Sequence, residues 1–243
     1  YAGFYGEQAK TLYTRLSTAT SALLRAEAIR GLARLQGEKD GNPGFLLPCL
    51  EDESEEVRRT AAQGLLRWAN SARAQGAGVP WPTAADVARL QTSRYADVRL
   101  LAVHLTDLLP PEARLGALTD ACLDDDTPVR CAAILNLALL GSPEALDLVG
   151  RSLDDPQPEV VMAAVRALAV RPSAQSRAQL LAFHNRCPDP SLKAVVAAVL
   201  ADMEGGGPVR LRPSVRPPSR GANASPQRLR RPSRIPGPAP VAP

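Results

Sequence analysis

The stretch Leu123–Leu139, LDDDTPVRCAAILNLAL, sets three consecutive carboxylates in front of an almost wholly apolar run. Two other stretches follow the same plan: Leu50–Leu66, LEDESEEVRRTAAQGLL, and Leu153–Ala169, LDDPQPEVVMAAVRALA. Each begins with Leu, passes through an acidic turn, and then places a Val with small or apolar residues four and eight positions later. Weaker copies lie near Leu24, Val98 and Leu192. The first apolar residues of the six copies fall at 24, 57, 98, 129, 160 and 192, at intervals of 33, 41, 31, 31 and 32. A period in the low thirties is that of stacked helical hairpins. The one long interval contains NSARAQGAGVPWPT, Asn70–Thr83, whose Gly and Pro predict a loop insertion near 70–83 between two repeats.

If each copy opens the second helix of a hairpin, the first helices fall at about 44–50, 83–91, 111–123, 143–153 and 173–185, each ending in an acidic or Pro-containing turn. Acidic residues suit a helix N-terminus, where they accept unpaired N–H groups and meet the positive end of the dipole. Asp124, Asp125 and Asp126 therefore read as turn and capping residues. A hard-cation site needs several oxygens converging from a dedicated loop, and nothing nearby supplies them.

The composition agrees with an all-α chain. Apolar residues make up 45% of the 243 residues and aromatics only 4%, with Ala and Leu dominating, which favours closely packed helices over a sandwich or barrel. The net charge of +4 hides an asymmetry. Residues 205–243 hold eight of the 29 basic residues and no acid, so residues 1–204 keep 21 bases against 25 acids, a net of −4. That tail also carries ten Pro and no apolar periodicity, the pattern of a disordered segment. The expected organisation is a repeat domain over 1–204 and a disordered Arg/Pro-rich tail over 205–243. Cys49, Cys122, Cys131 and Cys187 stand singly with no C-x-x-C pair, so they read as buried structural thiols in a reducing, cytoplasmic setting. No apolar run reaches the length of about 18 residues that a membrane span needs. The chain opens on Tyr1 rather than Met, which points to a fragment or processed product.

With Asp52 followed by Val57-Arg58, Asp124 followed by Val129-Arg130, and Ala-rich second helices, the chain resembles the HEAT-repeat family, in particular the short repeats of the bilin (PBS) lyase type. The resemblance spans about 15–204. It implies an armadillo-type superhelix: a right-handed α-solenoid of about six HEAT-like hairpins. It also implies a ladder in which a turn Asp and the Arg opening the next helix are joined along the stack. Asp52 to Arg58 and Asp124 to Arg130 share a six-residue spacing, whereas Asp155 faces Val161, so the ladder is expected to break at that repeat.

No catalytic constellation can be assembled. His104 and His184, the only two histidines, are followed by Leu105 and Asn185 rather than by the Glu of the His-Glu pairs that hold the di-iron centre of HEAT-repeat hydroxylases. A DNA-clamping glycosylase would need a cationic groove, yet CAAILNLALL has no Lys or Arg and VMAAVRALAV only Arg166. Trp68 and Trp81 read as packing residues. No Gly-rich phosphate loop is present, and no cofactor or metal is expected. The reading is a non-catalytic protein–protein interaction scaffold whose second helices line a concave face. In each second helix, offsets 0, 4 and 7 or 8 from the anchor point into the stack, and offsets 2, 3, 6 and 9–10 toward the groove. The groove positions are Arg59, Thr60, Gln63 and Arg67 in the second repeat, and Leu135, Leu139, Met162, Arg166, Val195 and Ala198 later. A protein partner is expected on Arg59, Gln63, Arg67, Leu135, Leu139, Met162, Arg166 and Val195. The alternative is a nucleic-acid-associated protein using the tail, with Arg228, Arg230, Arg231 and Arg234 as the contacts to an anionic partner. A third reading is an accessory, lyase-like subunit of an enzyme.

Overall fold

The structure, a computed structural model, describes residues 2–36, 43–74 and 82–204. The tail with Arg228, Arg230, Arg231 and Arg234, and Trp81, lie outside the described residues. Among those described there are eleven α-helices and no strand: α1 Ala2–Leu16, α2 Ala22–Gln36, α3 Glu55–Ala74, α4 Ala84–Gln91, α5 Ala96–Leu105, α6 Pro111–Ala121, α7 Thr127–Leu140, α8 Pro143–Arg151, α9 Pro158–Val170, α10 Ala174–Arg186 and α11 Pro190–Glu204.

They pair into six hairpins of an α-solenoid. In the second hairpin the expected helix at 44–50 is instead two 3₁₀ turns, Gly44–Leu46 and Pro48–Glu51. Pro48 has no N–H to donate into a helix running through it. The insertion also begins later than expected, because α3 runs on through Ala74; residues 75–81 lie outside the described residues.

The second helices pack on one another in an unbroken row, α2 to α3, α5, α7 and α9. The repeat supplies the reason. Val57, Val98, Val129 and Val160 at offset 0 are buried, as are Ala28, Ala61, Ala102, Ala133 and Ala164 at offset 4. Small residues at offset 4 let neighbouring backbones approach, and Leu32, Leu65, Leu137 and Leu168 at offset 8 fill the next layer. The third repeat has Thr106 at that place, buried, with its hydroxyl donating to the Val103 carbonyl at 2.7 Å. Gly64 of α3 serves the same close approach, since a Cβ there would come within 2.9 Å of Leu46 and 3.3 Å of Ala33. Trp68 is a core residue, as expected.

The acidic turns hold the hairpins in register, and in doing so they correct the expected ladder. Asp124 Oδ1 accepts the Asp126 N–H at 2.8 Å, and Asp126 caps α7 by accepting the Val129 N–H at 3.3 Å. The Asp124 carboxylate meanwhile receives Arg99 of the preceding repeat in a two-point contact at 2.7 and 2.9 Å. The rungs run Arg25–Asp52, Arg58–Asp97, Arg99–Asp124 and Arg130–Asp155. Each Arg thus reaches forward to the carboxylate of the next repeat. The six-residue spacing has a different origin: Arg58 Nη1 donates to the Asp52 and Glu53 carbonyls, and Arg130 Nη1 to those of Asp124 and Asp125. One guanidinium therefore satisfies its own turn's backbone and clamps the next hairpin.

Asp155 is consequently a full rung, contrary to expectation. The ladder ends one junction later, where Val161 stands at the Arg position of the fifth repeat and Cys187 at the turn position of the sixth, both buried in one apolar cluster. Replacing an ion pair by apolar packing is close to neutral in stability when both partners change together. In the third repeat the turn position holds Ser93, whose hydroxyl accepts the Tyr95 N–H at 3.3 Å. The carboxylate for Arg58 comes from Asp97 at the start of α5, and the Arg58 guanidinium stacks 3.7 Å above the Tyr95 ring.

Candidate functional site

Among the described residues no cluster of His, Cys, Asp and Glu is arranged to hold a metal ion. His104 is exposed on α5 and His184 half-buried on α10. The four cysteines are free. Burial pushes the Cys122 thiol up to about 12, and burial likewise raises Cys49 and Cys131, the opposite of what an activated nucleophile needs. Asp52 is held below the ordinary carboxylate range by the Arg25 guanidinium. For Asp124, burial works against ionisation, but the hydrogen bonds from Arg99 and the Asp126 N–H outweigh it and lower its pKa. These carboxylates are engaged in structure rather than poised for proton transfer.

Large apolar side chains are exposed at Leu12 on α1, Leu23 and Leu24 on α2, Leu123 ahead of α7 and Leu181 on α10, and on the exposed side of the second helices α7 and α9. On α7, Leu135 and Leu139 are 44% and 57% exposed, and on α9 Val170 is 60% exposed. Arg171 Nη2 donates to the Leu139 carbonyl at 2.9 Å, which sets the C-terminal ends of α7 and α9 side by side. Arg166 is exposed one turn before Val170, and Met162 is half-buried a turn earlier. Gln63 and Arg67 are exposed on α3, and Val195 is half-buried on α11.

One of the expected groove positions departs from the offset count, and two others are partly engaged. Thr60 is buried and donates to the Glu56 carbonyl at 2.8 Å. Arg59 is exposed but engaged by Glu56 and Glu55 on its own helix, three and four residues back, so its charge is locally neutralised. Met162 is partly used in packing rather than fully presented. Two positions were missed: Val170, at offset 10, and His104, at offset 6. The same offset count extended to the ends of α5 and α9 reaches both.

Fold and face together define an α-solenoid repeat scaffold. Family models described as HEAT repeats match residues 114–201, and as HEAT repeat, residues 44–72. The chain carries HEAT repeats over these two stretches. The unmatched interval contains the third repeat, where the turn Asp is replaced by Ser93. Among solved structures, the crystal structure of an engineered protein is similar over 82% of this chain and 98% of that chain, with 21% identity and a TM-score of 0.47. No curated protein matches significantly. No helix among the described residues is long and apolar enough to cross a membrane.

Proposed function

We propose that the protein is a non-catalytic interaction scaffold that binds a protein partner along the exposed face of its second helices. The observation that supports this most directly is the set Leu135, Leu139 and Val170, large apolar side chains left open on adjacent helices whose other faces are fully used in packing. Apolar side chains scattered singly need no explanation, but neighbours on two packed helices mark a surface that gains by being covered. Solenoids bury their partners along just such a row of second helices. Gln63, Arg67, Arg166 and Val195 extend the same face along the stack.

The test is site-specific photo-crosslinking in native lysate. A crosslinking side chain at position 139 is expected to give one discrete protein adduct, and the same group on the outer row at Glu112 of α6 none. Equal labelling from both positions, or none from 139, overturns the reading. Adducts that vanish with nuclease would move the weight to nucleic acid.

A further inference from the structure

The folded repeats are net acidic, yet the middle of the inner row, α3 to α9, is free of acid beyond its helix starts. The outer helices carry Asp86 on α4, Glu112 and Asp120 on α6, and Glu144 and Asp147 on α8. In α3, α5, α7 and α9 the only carboxylates are Glu55, Glu56, Asp97 and Glu159, all in the first turn. From the second turn onward those four helices hold no Asp or Glu, whereas the flanking second helices carry Glu27 on α2 and Asp202 and Glu204 on α11. Their exposed positions there include Arg67, His104, Leu135, Leu139, Arg166 and Val170. Arg67 and Arg166 have no ion-pair partner among the described residues.

This half of the face is therefore an apolar centre flanked by unopposed cations. We propose that it docks an acidic segment of another protein, whose apolar side chains seat on Leu135, Leu139 and Val170 while its carboxylates face Arg166 and Arg67. The inference rests on the scaffold reading and adds the chemistry of the partner. Opposite charge at the rim raises the association rate and excludes wrong partners, while the apolar centre supplies most of the affinity. Across α3, α5, α7 and α9 a basic segment finds no carboxylate beyond the first turns. A nucleic acid would meet two or three widely spaced cations around an apolar centre that phosphates cannot use.

The experiment uses the full chain and three fluorescent 20-residue peptides with the same Leu pattern at i, i+4, i+7 and i+11. The remaining positions are filled mainly with Glu, Gln or Lys. Anisotropy titrations are expected to show the Glu peptide binding at least tenfold tighter than the Gln peptide, and the Lys peptide failing to saturate. Leu135→Glu with Leu139→Glu is expected to weaken the Glu peptide at least tenfold, with helicity by circular dichroism unchanged. Arg166→Glu is expected to shrink the Glu-over-Gln preference. The Arg-rich tail is intact in every variant, so Glu-peptide binding that survives both sets of substitutions belongs to the tail and overturns the proposal. If the double variant does not fold, Leu139→Gln alone carries the comparison, with a weaker loss expected. Equal binding of the Glu and Gln peptides overturns the acidic partner but leaves the scaffold reading standing. No binding of any peptide overturns the inference, and the crosslinking result then decides the scaffold reading separately.

Discussion

The ladder rung between the fourth and fifth repeats offers a sharp energetic test. Arg130 donates to the two Asp155 oxygens at 3.0 and 3.2 Å, and to the Asp124 and Asp125 carbonyls at 2.7 and 3.1 Å. The two side chains are only 11% and 13% exposed. Arg130→Met keeps the apolar stem and removes all four bonds. At roughly 0.5–1.5 kcal/mol net per bond, discounted for the carbonyl at Asp125 that water can reach, the loss is about 3 kcal/mol. That lies at the lower end of the roughly 3–5 kcal/mol for breaking a buried pair from one side. Asp155→Asn keeps an oxygen for the Gln157 N–H, which donates to Asp155 at 2.8 Å, and should cost less, about 1–2 kcal/mol. Because the two changes remove the same ion pair, the double variant should be less destabilised than the sum, with a coupling of about 1–2 kcal/mol. Urea unfolding followed by circular dichroism at pH 7 measures the cycle, with the slope m compared across all four proteins, since a changed m would mean the array is splitting. Additivity within about 0.3 kcal/mol would refute the claim that the rung acts as a unit. The Val161 and Cys187 junction shows what the same contact looks like when both partners are apolar.

Other expectations follow from the same geometry. Asp52 and Asp124 have lowered pKa values in the folded chain, so the unfolded state takes up protons first; stability present above about pH 4 is lost as pH falls, and Asp124→Asn should flatten that acid limb in unfolding measured from pH 7 to 3. Gly141 caps α7 with φ +68, so Gly141→Ala should destabilise by about 1 kcal/mol, whereas Gly116→Ala, mid-helix with open space around it, should stabilise by about 0.5–1 kcal/mol. A result of the same sign for both glycines in thermal unfolding would contradict the assignment. Cys122, with its thiol pushed up to about 12 by burial, should resist an aromatic disulfide reagent at pH 8 in the folded protein and react once the chain is unfolded in urea.

Much of this architecture was legible in the chain itself. Of the six anchors, those at 57, 98, 129 and 160 are buried, with the Ala four residues on buried each time, because a helix period of 3.6 leaves only one face free to meet its neighbours; at the ends of the array Leu24 is exposed and Leu192 half-buried. The acidic triplet at 124–126 was likewise readable as turn and cap, since its spacing matches the N–H groups a helix start exposes. Only the tertiary structure decided where the arginines reach. A six-residue spacing describes a bond within one turn, but the forward contact from Arg99 to Asp124 depends on how one hairpin is rotated on the next, which no local pattern encodes. For the same reason the sequence read Asp155 as a broken rung, when its partner comes from the repeat before. The split of the exposed face into used and open positions also belongs to packing. Thr60 and Leu139 both qualify by offset, and it is the neighbouring helix that buries the first and leaves the second in solvent.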